Sequence, residues 1–245
     1  MKKHIVILDP FPRTLKLIFS KDKFKKLKLS YKLIYAPKMH KKNFYEKNIQ
    51  KASFIIGQPD LPKEILIKAK NLKAIINVES NFMNNMDYQY CFKKGIYVIA
   101  TSPVFSKPVA EIALGMTLSL LRNIHNAHLD FIKGKEKYGL ESNLKASLLS
   151  GKKIGLIGFG DLAKSLYPLL LPFSKDINVY DPWIPKLNIQ KLGFKSISLN
   201  KIFENCDVIY VLATVTTKNK HFIDKKLINK MKPNSCFILM SRAAV

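Results

Sequence analysis

The stretch that most constrains the fold is residues 152–183, KKIGLIGFGDLAKSLYPLLLPFSKDINVYDPW. An apolar run, Lys153–Ile157, leads straight into Gly158-x-Gly160-x-x-Ala163, and a helical pattern follows from Asp161 to Leu171. A second apolar run, Ile177–Tyr180, ends on Asp181. Each small residue has a steric reason. The first glycine permits a tight turn, the second lets a diphosphate approach the backbone, and the third small residue lets helix and strand pack closely. An anion there meets N–H groups at the positive end of a helix, which this spacing assigns to Asp161 and Leu162. Asp181 stands about twenty residues on, where a carboxylate accepts hydrogen bonds from ribose hydroxyls. That carboxylate repels a 2′-phosphate, so the pattern favours NAD over NADP. No Gly-Lys-Ser/Thr follows the turn, and a P-loop does not fit. A glycine turn without a ligand is the alternative. The Asp161 carboxylate suits a helix start but has to point away from a bound phosphate.

The rest of the chain repeats the same alternation. Strands are expected at His4–Leu8, Tyr31–Tyr35, Phe54–Ile56, Ala74–Val78 and Tyr97–Ala100, then at Asp207–Leu212 and Cys236–Met240. Helices are expected at Pro62–Lys70, Met86–Lys93, Ser198–Asn205 and Lys225–Met231, with a short helix and strand between Pro185 and Ile197. Pro168 and Pro172 place an end or a kink near Leu171. Such alternation predicts an α/β protein with doubly wound parallel sheets. Between the halves lies an unbroken helical pattern from Pro108 to about Lys133, in which Glu111, Gly115, Ser119 and Arg122 form one narrow stripe. A helix so apolar elsewhere is expected to be buried on more than one face, between domains or between subunits.

The chain has 245 residues, 47% of them hydrophobic, enough for two ordinary domains. No apolar run reaches the ~18 residues of a membrane span, and the start MKKHIVILDP reads as a first strand. A cytoplasmic protein without a membrane partner is expected. Cys91, Cys206 and Cys236 are far apart and form no CxxC pair, which points to buried thiols rather than a disulfide or metal site. The net charge is +25, but only Arg13, Arg122 and Arg242 are arginines. Nucleic-acid readers rely on arginine forks and stacked aromatics, and the lysines are dispersed apart from KDKFKKLK at 21–28. Attraction of anionic cofactors and acids is the simpler use of this charge, and nucleic acid is not the expected partner.

Four segments resemble the D-isomer-specific 2-hydroxyacid dehydrogenases: KAIINVESNFMNNMDYQYCFKKGIYVIAT, SKPVAEIALGMTLSLLRNI, the glycine-turn segment ending VYDPW, and CDVIYVLATVTTKNKHFIDKKLINKMKPNSCFILMSRAAV. The resemblance implies a flavodoxin-like substrate domain over 1–101 and a Rossmann NAD-binding domain over 102–245. It implies NAD as cofactor, hydride transfer between NAD(H) and a 2-hydroxy or 2-keto acid, and a homodimer formed through the helix around 108–133. Position by position, Arg242 matches the arginine that holds the substrate carboxylate and polarises its carbonyl. Ser80 and Asn81 match the loop whose amides cradle the carboxylate, although the family usually has glycine where Ser80 stands. Gly158, Gly160, Asp161, Leu162, Ala163 and Asp181 match the dinucleotide site. Thr214 and Thr216, with Ser241 beside Arg242, match the segments that flank the cofactor; the family often has proline at 214.

Reduction of a keto acid also needs a proton donor, usually a histidine held near working pH by a carboxylate. The family places that pair beyond the arginine, and this sequence ends three residues after Arg242. None of His4, His40, His125, His128 and His221 is expected to substitute. The expectation is therefore a chain incomplete at its C-terminus that binds dinucleotide weakly and turns over little. A non-catalytic NAD-binding or interaction protein is the alternative.

Overall fold

The computed structural model describes residues 3–79, 82–215, 219–242 and 245. The chain divides into two compact units, 1–104 and 105–245.

In the first unit the strands are β1 (Ile5–Asp9), β2 (Lys32–Tyr35), β3 (Phe54–Gly57), β4 (Ala74–Ile76) and β5 (Tyr97–Ile99). All pair in parallel, in the order β2-β1-β3-β4-β5. This is the flavodoxin-like doubly wound order. Strands buried on both faces read as continuous β-branched runs, and Ile7, Ile55 and Ile75 lie in the core with Tyr45, Ile49, Leu61, Leu66 and Cys91. Three helices here, Leu15–Ile18, Lys21–Ser30 and Lys41–Asn48, are absent from the sequence expectations. The last two are so rich in lysine that their apolar periodicity is faint. Ser20 nonetheless caps the second through the Lys23 amide, at 3.4 Å.

The second unit contains β6 (Ile154–Ile157), β7 (Ile177–Tyr180), β8 (Lys195–Ser196), β9 (Val208–Val211) and β10 (Cys236–Leu239). These also pair in parallel, in the order β10-β9-β6-β7-β8. The order reverses between β6 and β9, which is the topological switch point of a Rossmann sheet. Alternate residues of the central strands face two cores. Ile154, Leu156, Val208 and Tyr210 face one. Ile157, Ile209 and Val211 face the other, against Ile202 and Phe203 of the helix Leu199–Asn205.

The long helix differs from expectation. It runs Ser102–Leu121, stops, and a second helix covers Ile124–Ile132. The break is at Asn123, which adopts a left-handed conformation (φ 57°). Asparagine tolerates that region better than most residues, so no glycine or proline marks the stop in the sequence. Pro103 occupies the first turn, while Pro108 lies inside the helix. With 20 residues the helix is long and apolar enough to cross a membrane by composition, beyond the shorter run seen in the sequence. Its Ser106, Ala110, Ala113, Thr117 and Leu121 side is nevertheless buried, as in a core helix. Thr117 Oγ1 meets the buried Tyr210 hydroxyl at 2.6 Å, and Ser165 Oγ donates to Ser106 Oγ at 2.8 Å, so these polar groups are satisfied internally. Ile112, Met116 and Leu120 are 55%, 44% and 44% exposed. The helix therefore buries one face in its own chain, not several.

Gly155 sits where β6 meets the helix Leu199–Asn205. A Cβ there would lie 2.8 Å from Ile202 Cγ2 and 3.0 Å from Cys206 Sγ. Gly155→Ala is expected to lower stability by about 1–3 kcal/mol through overpacking, measured by urea unfolding.

Candidate functional site

The glycine turn forms at the carboxyl end of β6, at the switch point, where doubly wound sheets bind ligands. Gly158 has φ +92°, and a Cβ on it would lie 2.8 Å from both the Cα and the N of Ala213. The turn can therefore approach the chain leaving β9 only without a side chain. Gly160 differs. It is the N-cap of the helix Asp161–Leu170, with φ −81° and ψ −158°, and a Cβ on it would have no atom within 4 Å. Neither the backbone nor the packing requires glycine at 160. The open space beside it is where a diphosphate approaches in such turns. Ala163 is fully buried, and Leu162 packs partly against the same core. The first-turn amides, which an α-helix cannot satisfy internally, lie at the carboxyl edge of the sheet. Asp161 contributes an acid to this first turn.

Asp181 follows β7 directly, and its carboxylate already has backbone partners. Oδ2 accepts the Phe159 N–H at 2.7 Å. Oδ1 accepts those of Trp183 at 2.8 Å and Ile184 at 3.1 Å. A carboxylate offers about four acceptor positions, so these bonds leave room for roughly one more, on Oδ2. Asp181 is thus a brace joining the glycine turn to the segment after β7, as well as an acid beside it. Phe159, the unnamed residue between the two glycines, supplies the bridging amide; no side-chain signal marks that role in the sequence.

A third strand end joins the first two through Ala213. Ser241 Oγ, just past β10, donates to the Ala213 carbonyl. Thr214 is exposed, and its carbonyl accepts Asn219 Nδ2 at 2.8 Å. Gly158, Ala213 and Ser241 therefore converge at the carboxyl ends of β6, β9 and β10. Arg242 is the next residue and is exposed. The sequence expectations for Ser80, Asn81 and Thr216 fall outside the described residues.

Several other side chains are placed by the structure. His4 Nδ1 lies 3.1 Å from Ser53 Oγ. His125 and His128 are exposed on the helix Ile124–Ile132, and His40 and His221 are exposed in left-handed conformations. Burial pushes the Cys91 thiol up to about 11 and the Cys206 thiol up to about 12, which keeps both protonated and unreactive near neutrality. Among the described residues no group of three His, Cys, Asp or Glu could hold a metal ion. The first unit carries two ion pairs near the carboxyl edge of its sheet. Asp9, buried, accepts Lys41 Nζ at 2.6 Å and the Tyr45 hydroxyl at 3.1 Å. Arg13 pairs with Glu79. Burial, reinforced by the Asp9 carboxylate, holds the Tyr45 phenol above its ordinary range.

Residues 114–245 match the model of the D-isomer specific 2-hydroxyacid dehydrogenase, NAD binding domain. The chain is 31% identical over 179 residues to a hydroxypyruvate reductase of Thermotoga maritima, covering 73% of this chain and 56% of that protein. It is 28% identical over 184 residues to a D-3-phosphoglycerate dehydrogenase of Methanocaldococcus jannaschii, covering 75% and 34%. Among solved structures, a phosphoglycerate oxidoreductase from Rhizobium etli superimposes with a TM-score of 0.81 at 39% identity, over 99% of this chain and 74% of that one. D-Mandelate dehydrogenase of Rhodotorula graminis shares the fold, with a TM-score of 0.83 at 17% identity over 99% and 75%. The chain thus spans about half the length of the first of these relatives and about a third of the second.

The two glycines make opposite predictions for stability. Gly158→Ala meets both positive φ and the Ala213 backbone, and should cost about 2 kcal/mol or more. Gly160→Ala should stay within about 0.5 kcal/mol of the parent. Thermal and urea unfolding of the two variants test this contrast.

Proposed function

The chain belongs to the D-isomer specific 2-hydroxyacid dehydrogenases, and from that premise we propose that it binds NAD at the Gly158–Ala163 turn and serves hydride transfer between NAD(H) and a 2-hydroxy or 2-keto acid. One observation carries the reading: the turn lies at the β6/β9 switch point and keeps a glycine, Gly160, that its own fold does not need. That is the arrangement expected if a ligand, not the protein, takes up the space.

Bound NAD supplies the hydride when reduced and accepts it when oxidised. The chain's own groups do the rest. The amides of Asp161 and Leu162, at the positive end of a helix, hold the diphosphate together with the backbone at Gly160. The Asp161 side chain is directed away from it. The remaining acceptor position of Asp181 takes one ribose hydroxyl, and its negative charge disfavours a 2′-phosphate. Thr214 and Thr216 flank the cofactor, and Ser241 fixes the segment after β9 on which Thr214 stands. Arg242 binds the substrate carboxylate through its planar fork and polarises the carbonyl oxygen. Ser80 and Asn81 give amide contacts to the same carboxylate. None of the five histidines is assigned as the proton donor. The protein works in the cytoplasm.

The partner on the long helix is a second copy of the chain. Ile112, Met116 and Leu120 repeat at intervals of four and form one exposed apolar stripe opposite the buried side. Such a stripe, continued by exposed Ile124 and Leu129, suits a self-complementary two-fold contact. Met116→Glu places a charge in that contact and should shift the protein to a monomer in sedimentation or light scattering. A monomeric parent protein would refute the contact.

Trp183, two residues past Asp181 and the single tryptophan, reports on the cofactor. Its fluorescence should fall as NADH is added. Gly160→Ala should weaken NADH about tenfold while the protein stays folded, the equivalent of about 1.4 kcal/mol. A parent chain that shows neither a fluorescence change nor a heat of binding in saturating NADH would remove the assignment. Arg242→Gln should keep NADH affinity within about twofold yet weaken oxamate, an unreactive mimic of a 2-keto acid, on the order of 10–100-fold, the value of one or two charge-assisted hydrogen bonds. NADH binding without turnover of any 2-keto acid would mark the alternative, a chain that binds the cofactor but does not catalyse.

A further inference from the structure

The activity proposed above has no use for the segment KDKFKKLK at 21–28. It packs five lysines and one acid, Asp22, into eight residues, whereas the whole chain spreads a net +25 over 245. The segment forms most of the helix Lys21–Ser30, which has no buried residue. Phe24 and Leu27 make its inner side and are half-buried. Lys21, Lys23, Lys25, Lys26 and Lys28 are all exposed. Among the described residues none of the five is paired with an acid. Like charges three and four residues apart weaken a helix, so the fold itself gains nothing from this face.

Two large apolar side chains stand out in water beside these charges. Leu29 is 64% exposed and follows Lys25 by four residues and Lys26 by three, which places it between them on the outer side. Leu17, on the short helix just before, is 74% exposed. Lysines around an exposed leucine suit an anionic lipid surface: the ammonium groups meet the headgroups, while the lysine stems and the leucine reach the acyl boundary. Nucleic acid fits less well. The helix has no arginine, and its one aromatic ring, Phe24, lies 5.6 Å from Phe19 with Lys28 Nζ 4.6 Å from its centroid, so it is not presented to a base. Ten residues make a helix about 15 Å long, which lies on a bilayer and cannot cross one.

We propose that the outer face of the helix Lys21–Ser30 docks on an anionic lipid bilayer, through Lys21, Lys25, Lys26 and Leu29, and holds the protein reversibly at the membrane surface. Each lysine near such a surface adds about fivefold to partitioning, so three of them give on the order of 100-fold. The attraction acts within a Debye length and falls with salt. The contact lies wholly in the first unit and uses neither the glycine turn nor Arg242, so it stands or falls apart from the NAD reading.

The test is co-sedimentation of the full chain with two kinds of vesicle, phosphatidylcholine alone and phosphatidylcholine mixed equally with phosphatidylglycerol. The parent should bind the mixed vesicles at least tenfold better than the neutral ones, and lose that advantage in about 1 M salt, where the Debye length is about 3 Å. Lys25→Gln combined with Lys26→Gln should weaken binding to the mixed vesicles about 25-fold. Leu29→Ser should weaken it about threefold to tenfold without changing the charge. Lys63→Gln combined with Lys70→Gln removes the same charge from exposed positions elsewhere in the first unit and should stay within about twofold of the parent. Unfolding midpoints close to the parent's show that the variants are folded. A parent that ignores the mixed vesicles, or binds both kinds equally, overturns the proposal. Equal losses in the two lysine pairs overturn it in favour of diffuse net charge. A parent that binds polyuridylate more tightly than the mixed vesicles, and loses this with the Lys25 and Lys26 pair, overturns it in favour of nucleic acid.

Discussion

The close approach of Gly158 to Ala213 is the contact on which the rest of the second unit depends. The two central strands, β6 and β9, leave the sheet side by side, and their chains must turn in opposite directions at the switch point. A side chain at 158 would occupy the place of the Ala213 backbone. With none there, the turn closes, the helix Asp161–Leu170 starts at the sheet edge, and its first amides face the crevice. Ala213 then receives Ser241 from the far side, so one small residue couples three strand ends. A crevice built this way holds the polar backbone groups that an anion can use, while the apolar residues of β6, β7 and β9 remain below it in the two cores.

Asp181 shows how one group can carry two demands. Sequence spacing marks it as the expected acid beside a ribose, and the structure places it directly after β7. The structure adds that the same carboxylate accepts three backbone amides, one of them from inside the glycine turn. A buried or half-buried carboxylate needs such donors to keep its charge out of bulk water. The turn in turn needs an acceptor for an amide that has left the strand. The proposed ribose contact would therefore share this carboxylate with the fold, and a substitution at 181 would change both.

The long helix carries a similar tension between local and wider structure. Its Thr117–Tyr210 bond and its small residues Ala110 and Ala113 seat one side against the second sheet. The opposite side remains apolar and exposed in the single chain. Hydrophobic surface of this kind is costly in water, and association is the ordinary way to remove it. The left-handed Asn123 ends the long helix after Leu121, and the short helix that follows also exposes apolar residues, Ile124, Leu129, Phe131 and Ile132.

Much of this was legible in the sequence for a physical reason. β-Branched runs, glycine spacing and a terminal aspartate are local signals, and they located β6, β7, β9 and β10, the turn at 158–163 and the acid at 181 to within a residue or so. The lysine-rich helices of the first unit were not legible, because charge masks their weak apolar period. Neither was the stop at Asn123, because asparagine reaches the left-handed region without announcing it. The sequence also could not say which glycine the fold requires and which it does not, since Gly158 and Gly160 look alike until Ala213 is brought against one of them. Nor could it connect Arg13 with Glu79, sixty-six positions apart. Local pattern determined the elements and the chemistry offered at their ends; only tertiary structure decided which of those ends meet, because contacts between distant residues depend on strand order and not on spacing along the chain.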